Sequence, residues 1–354
     1  MSRPEKRRRQ AKLRDVAALA KVSQMTVSNV VNGRYGAMSQ ETRERIERAI
    51  AELNYRPRSA ARGLRSDRCF CVGMLIVDRA PTYLADPWIT QLVAGLSNQL
   101  SSHGYSLLVH GTPVANLANS SMLHHVATDG LCVLLSGRRR ERNLAIDMVR
   151  NLGQPVILFQ EVQTSKSPDL CVLRQDDRGG GEMLGKLLLS LGARRLLILE
   201  SSWEWPALKE RSKGVRAAIR RFGDGGEFKV LGCGMAGFSE TVERFRRHLA
   251  KHDRPDAVLG GNDQMGIAAM KVLQDEGVNV PGEVMVTGFN AFDFWAYSSP
   301  VLTTVRSPAY ALGAKGGEIM IARLAGGRLP ESELVLPVEL QLGETTLSPL
   351  STDK

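Results

Sequence analysis

The chain has 354 residues, 43% of them hydrophobic and 24% charged, enough apolar material for a sizeable core in two or three domains. Its net charge of +10 is confined to residues 1–68, which hold 17 Lys and Arg against 7 Asp and Glu; the rest of the chain holds 30 of each sign. No apolar run nears the ~18 residues that cross a bilayer, and no apolar stretch follows Arg7–Arg9. Neither a membrane protein nor a secretory leader is expected, and the cytoplasm is the expected compartment.

Residues 1–12 form a polar, basic arm, read either as a solvated, disordered segment or as a phosphate-seeking tail. From Leu13, apolar residues at Val16, Ala17 and Ala20 repeat at helical spacing. Lys21-Val22-Ser23 interrupts the pattern, and Ser23 suits the N-cap of a second helix, Gln24 to Asn32, with Val27, Val30 and Val31 inward. A third helix, about Ser39 to Asn54, turns Ile46, Ile50 and Leu53 inward and Arg43, Arg45 and Arg48 outward. Two short helices across a tight turn, with a third closing the core, read as a helix-turn-helix spanning 13–56. Its second helix offers Gln24, Met25, Ser28 and Asn29 to a major groove. A small structural domain would look similar, but the concentrated positive charge favours the DNA reading. After Tyr55-Arg56-Pro57, the arginine-rich 58–65 is too short to hold a helix unaided in water.

Here the chain resembles the LacI/GalR (lactose-repressor type) transcriptional regulators. The matching stretches are Leu13-Arg-Asp-Val-Ala-Ala-Leu-Ala20, Val22-Ser-Gln-Met-Thr-Val-Ser-Asn-Val-Val-Asn-Gly33, Ser39-Gln-Glu-Thr-Arg-Glu-Arg-Ile46, Glu52-Leu-Asn-Tyr-Arg-Pro57 and Ala60-Ala-Arg-Gly-Leu64, and the similarity continues to about residue 343. The resemblance implies that 57–68 is a hinge helix that folds on the operator and wedges Leu64 into the minor groove, where an apolar wedge kinks the duplex. It implies a DNA-contacting set of Gln24, Met25, Thr26, Ser28, Asn29 and Asn32 in the head, with Arg58, Ala61 and Leu64 in the hinge. Asn29 stands where many members carry Arg. Asn suits an adenine edge and Arg a guanine edge, so the half-site should differ at that base.

From residue 69 to 347, strand-like runs alternate with amphipathic helices: Val72–Val77, Leu131–Leu135, Val156–Phe159 and Leu170–Leu173, then Arg195–Leu199, Ala257–Leu259 and Val284–Thr287. Such βα alternation implies parallel sheets covered by helices, and two series imply two lobes with ligands at the carboxyl ends of the strands. The fold class expected is an all-α head with a hinge helix, then an α/β body of two doubly wound parallel-sheet lobes. The resemblance implies a periplasmic-binding-protein-like body with three crossovers, placed near 173, 305 and 335. The first lobe is then 69–173 and 306–334, the second 174–305 and 335–347, and 348–354 a tail.

Enzyme-like signals are weak. Gly180-x4-Gly185-Lys186 approaches a phosphate loop, but Leu187 stands where the magnesium-binding Ser or Thr belongs. The six histidines lack metal-ligand spacing, the five cysteines lack a Cys-x-x-Cys pair, and there is no Gly-x-Ser-x-Gly elbow. No catalytic residue, metal or cofactor is expected.

Strand ends supply the ligand candidates. Asn262 follows a strand; Asp263 either caps the next helix or meets the ligand. By resemblance, Arg211 is an effector-binding arginine, with a solvated helix arginine as the plain alternative, and Trp88 supplies an aromatic to the pocket. Ser136 ends a strand, and one of Trp203 and Trp205 lines the cleft. Most members carry Asp where Asn290 stands, which keeps hydrogen bonding but removes a charge. With Arg211 retained, that tilts the effector from a neutral sugar toward a sugar acid. The expected protein is a homodimeric, operator-binding regulator, most simply a repressor, under a sugar or sugar-acid effector. Pro349 and the absence of a heptad pattern argue for a dimer over a tetramer. A periplasmic-type solute receptor is the alternative, disfavoured by the basic head.

Overall fold

The computed structural model describes residues 11–347 except 32–33, 37, 56–67, 126, 163–166, 223–225, 236 and 331–332. The chain divides into two units, 1–69 and 70–354.

In the first unit, α1 (Leu13–Leu19), α2 (Gln24–Val31) and α3 (Gln40–Glu52) enclose a core of Val16, Ala17, Ala20, Val27, Val30, Ile46 and Ala49. Capping sets where the helices begin. The Ser23 hydroxyl accepts from the Thr26 N–H at 3.1 Å, and that of Ser39 from the Thr42 N–H at 3.3 Å. Lys21, at φ 53°, turns the chain between α1 and α2. Arg43 pairs with Glu47 at 2.7 Å on the outer face of α3. Arg45 is not outward as expected: its Nε donates to the Ala20 carbonyl at 2.9 Å, tying α3 to an oxygen that the end of α1 leaves unpaired.

The second unit holds two lobes. The first is a sheet of β1 (Cys71–Val77), β2 (Ser106–Thr112), β3 (Gly130–Leu135), β4 (Val156–Phe159), β5 (Leu170–Gln175) and β11 (Leu334–Leu336), in order β11-β5-β4-β3-β1-β2 and parallel throughout. β3 and β4 are buried along their whole length, the signature of a sheet covered on both faces. Helices α4 (Pro87–Ser101) and α5 (Arg139–Arg150) belong to this lobe. The second lobe has β6 (Arg195–Glu200), β7 (Glu227–Gly232), β8 (Ala257–Gly260) and β9 (Met285–Thr287), parallel in order β7-β6-β8-β9. Its helices are α6 (Asp177–Ser190), α7 (Pro206–Phe222), α8 (Phe238–Leu249) and α9 (Asp263–Asp275). β10 (Thr304–Arg306) and β12 (Glu339–Gln341) pair antiparallel beside it, with Val305 in its core. A further helix, α10 (Ala309–Leu324), returns to the first lobe, with Leu312 and Met320 in that lobe's core.

The chain passes between lobes after Gln175, between Arg306 and Ala309, and between Leu336 and Glu339. Boundaries at 173 and 335 would cut strands: Arg174 pairs with Val335 and Gln175 with Leu336 in the first lobe's sheet. The apolar run stops at Leu173, but the ladder continues to Gln175.

Helices α6 and α7 approach so closely that glycine is needed where they touch. A Cβ at Gly181 would lie 2.1 Å from the Arg211 carbonyl oxygen, and one at Gly214 2.0 Å from that of Arg178. The loop-like motif has the same origin: Cβ atoms at Gly180 and Gly185 would meet the Phe289 ring at 2.7 Å and the Ala218 methyl at 2.8 Å. These glycines serve packing inside a helix and do not cradle a phosphate.

Candidate functional site

In the head, Gln24 and Met25 stand exposed on the first turn of α2, Met25 at 57%. Thr26, Ser28 and Asn29 are half-buried, and the Thr26 hydroxyl lies 2.8 Å from that of Ser23 as part of the cap. Val27 and Val30 fix the opposite face in the core. A helix anchored on one side, with its N-terminal residues presented, has the form required to enter a major groove. Asn32, Arg58, Ala61 and Leu64 lie outside the described residues.

In the body, polar side chains gather where the strands end. Arg211, on α7, is 6% exposed. Its Nε donates to Asp177 Oδ1 at 2.8 Å, Nη1 to the Gly261 carbonyl and Nη2 to Asn290 Oδ1 at 3.4 Å, while the guanidinium lies 3.7 Å from the Phe289 ring centroid. Asp177 is the hub. Its Oδ1 also accepts from Gln175 Nε2 at 2.8 Å, and its Oδ2 accepts from Gln160 Nε2 at 3.0 Å. The Trp88 indole N–H donates to Gln175 Oε1 at 3.2 Å and to Ser307 Oγ at 3.0 Å. One chain of contacts thus links Trp88, Gln175, Asp177, Arg211 and Asn290 across both lobes, with Gln175 and Ser307 at crossovers. Trp88 offers its N–H inward and is itself buried against the first lobe's core. Sequence reasoning misses Gln160, Gln175, Asp177 and Ser307; their signal is the break from apolar to polar at a strand end.

Asn262 is the N-cap of α9. Its Oδ1 accepts from the Met265 N–H at 2.9 Å, which leaves the amide NH2 as the donor it can offer a ligand. Asn262, and not Asp263, therefore caps the helix. The Asp263 Oδ1 accepts from the Thr304 hydroxyl at 2.5 Å and its Oδ2 from the Ala291 N–H at 2.7 Å, and burial raises its carboxyl to about 6. It holds a strained turn, where Asn290 has φ 119° and Ala291 φ 52°.

A loop from the second lobe reaches the first. The Trp203 indole N–H donates to Ser136 Oγ at 2.9 Å, and the Gly137 N–H donates to the Glu204 carbonyl at 2.7 Å. The Arg79 guanidinium sits 5.5 Å from the Trp203 ring centroid, and Trp205 packs on the first lobe's core. Both tryptophans therefore contact the opposite lobe, Trp203 at Ser136 and Trp205 on its hydrophobic core. Beside Ser136, Asp78 directly follows β1. Its Oδ1 accepts from the Ala80 N–H at 2.6 Å, while its buried Oδ2 has no partner among the described residues. Asp86 caps α4 by accepting from the Trp88 N–H at 2.8 Å. Burial pushes the Asp78 carboxyl up. The carboxyl of Asp86, an exposed residue, is also raised by the protein packed around it, with the Trp88 N–H and Arg211 opposing the rise and the Asp78 charge adding to it.

Among the described residues no His, Cys, Asp and Glu group could hold a metal ion, and no helix is long and apolar enough to cross a membrane. Residues 12–58 match the family model described as bacterial regulatory proteins, lacI family, and residues 186–346 match that of the periplasmic binding protein-like domain. The chain belongs to the LacI family. It is 29% identical over 342 residues to the HTH-type transcriptional regulator CelR of Thermobifida fusca, covering 96% of this chain and 99% of that one. It is likewise 29% identical over 341 residues to the ribose operon repressor of Escherichia coli K12, covering 94% and 99%. Among solved structures, the complex of CelR with cellobiose aligns with a TM-score of 0.69 at 25% identity, over 95% of this chain and all of that one. The Lac repressor dimer bound to operator and an anti-inducer aligns at 0.82 and 23% identity, over 96% of this chain and all of that one, and so shares the fold. This LacI-family chain is a transcriptional regulator and not an enzyme.

Proposed function

We propose that this regulator is a repressor that works as a homodimer in the cytoplasm, and that a sugar-class effector bound between its lobes sets its operator affinity. Two copies of α2 would read a pseudo-palindromic site, with half-sites about one helical turn apart. The observation that carries the effector reading is the buried polar chain from Trp88 to Asn290, which spans both lobes at the strand ends. A ligand touching that chain contacts both lobes at once and can favour one lobe arrangement over another. Relatives named for cellobiose and ribose regulation support a sugar. The argument for a sugar acid loses its footing, because it needs Arg211 unspent and Asp177 already supplies the carboxylate that Asn290 lacks.

Filter binding of operator fragments with and without a panel of sugars tests this reading. Linkage between the sites should change operator affinity by a factor of roughly 5–150, equivalent to ~1–3 kcal/mol. Operator retention that no sugar alters would sink the effector reading, and no retention at all would sink the DNA reading.

A further inference from the structure

Although the head is strongly basic, no Lys or Arg lies between Lys21 and Arg34, and no Asp or Glu between Asp15 and Glu41. The helix α2 therefore meets DNA with no charged side chain of its own. Its presented residues form two pairs one turn apart, Gln24 with Ser28 and Met25 with Asn29. Gln24 and Met25 are exposed and Ser28 and Asn29 half-buried, while Val27 and Val30 hold the opposite face in the head's core. The cations of the head stand outside this face, where they suit phosphates. Phosphate contacts give affinity and register but carry no base sequence.

We infer that α2 reads A·T pairs only, with the thymine C5-methyl group as the ligand of Met25 and adenine as that of Gln24 and Asn29. The inference rests on the operator reading given above. Guanine is read best by an Arg or Lys at O6 and N7, and cytosine by an Asp or Glu accepting from N4; α2 has none of these. The amides of Gln24 and Asn29 each match the N6 donor and N7 acceptor of adenine. Met25 is 57% exposed and brings no hydrogen-bond donor. The thymine methyl is the apolar group that a base edge offers in the major groove. Ser28 fits either kind of pair and does not discriminate.

Selection from a random duplex library with the full-length protein tests this. The positions whose preferred base changes in Gln24→Ala, Met25→Ala or Asn29→Arg should carry A·T pairs for the wild type, and Asn29→Arg should exchange its adenine for guanine. On the selected duplex, placing G·C at the Asn29 position should weaken wild-type binding by roughly 5–150-fold. Deoxyuridine in place of the thymine at Met25 removes one methyl group and nothing else. It should weaken wild-type binding about fourfold and leave Met25→Ala unaffected. The deoxyuridine comparison on wild type needs no variant, so it decides the matter even where a substitution unfolds the head. A G·C preference at those positions, or indifference to deoxyuridine at every thymine, overturns the A·T assignment and leaves the operator reading intact. Retention of DNA with no sequence enriched overturns it as well. If no duplex is retained at all, the operator reading falls with it.

Discussion

Asp263 and Arg211 are both buried and charged, and their surroundings settle them differently. Asp263 accepts two hydrogen bonds, yet burial lifts its carboxyl from 3.8 to about 6. The folded chain then holds this proton more tightly than the unfolded one. Its contribution to stability is fully present below about pH 4 and fades as pH rises through 6. Asp263→Asn should flatten the dependence of stability on pH in that window, by at most about 3 kcal/mol, two pKa units at 1.36 kcal/mol each. Asp78 and Asp86 are raised in the same direction and keep some slope in the variant. Urea unfolding at pH 4.5 and 7 checks it, and equal slopes in both proteins would remove Asp263 as the cause. Arg211 instead has a counter-ion, Asp177, at 2.8 Å, with side chains 7% and 4% exposed. Arg211→Ala leaves that carboxylate buried and unpaired, which should cost about 3–5 kcal/mol. Combining it with Asp177→Asn should recover much of the loss in the same unfolding assay; no recovery would mean that the lost contacts with Gly261 and Phe289 matter more than the stranded charge.

Two contacts between elements have consequences of their own. The backbone of α7 rests on Gly181, so Gly181→Ala must push α7, and Arg211 with it, away from α6 and Asp177. Overpacking of this kind costs typically 1–3 kcal/mol. A variant as stable as wild type would show that the helices part without strain. Among the contacts by which the loop carrying Trp203 joins the lobes, one is the indole N–H to Ser136. Trp203→Phe keeps a ring and removes the donor, so about 1 kcal/mol of lobe closure should be lost. Small-angle scattering should show a wider particle, and an unchanged profile would mean that Trp205 and the Glu204 carbonyl suffice. What the sequence reveals of these elements follows from how each buries its residues. Strands such as β3 read directly because an unbroken apolar run is what a doubly covered sheet requires. α10 escapes the pattern because Gly313, Gly316 and Gly317 lie on its buried side, so the inward face does not look apolar. Arg211 is marked by the family resemblance alone, and Asn262 by the resemblance together with its place after a strand end. Asp177 and Ser307 are not, because their partners lie 34 and 132 residues away, beyond any local period.

Across the whole chain, charge is divided as sharply as structure. The excess of +10 falls within residues 1–68, while the remainder is balanced at 30 of each sign. The unit boundary after Cys69 lies almost where the charge changes. Long-range attraction to a polyanion must then come from the head, and the body contributes no net field to it. Counter-ion release makes the consequence measurable. A dimer covering some 6–10 phosphates should lose about 10³–10⁵ in operator affinity between 50 and 200 mM salt. A chain beginning at Phe70 should show no retention of DNA at either salt while still binding effector, since the cleft lies wholly in the second unit. Sugar binding, in contrast, should hardly respond to salt if the ligand is neutral. Retention of DNA by the shortened chain, or an operator affinity that ignores salt, would show that the charge division does not set the binding.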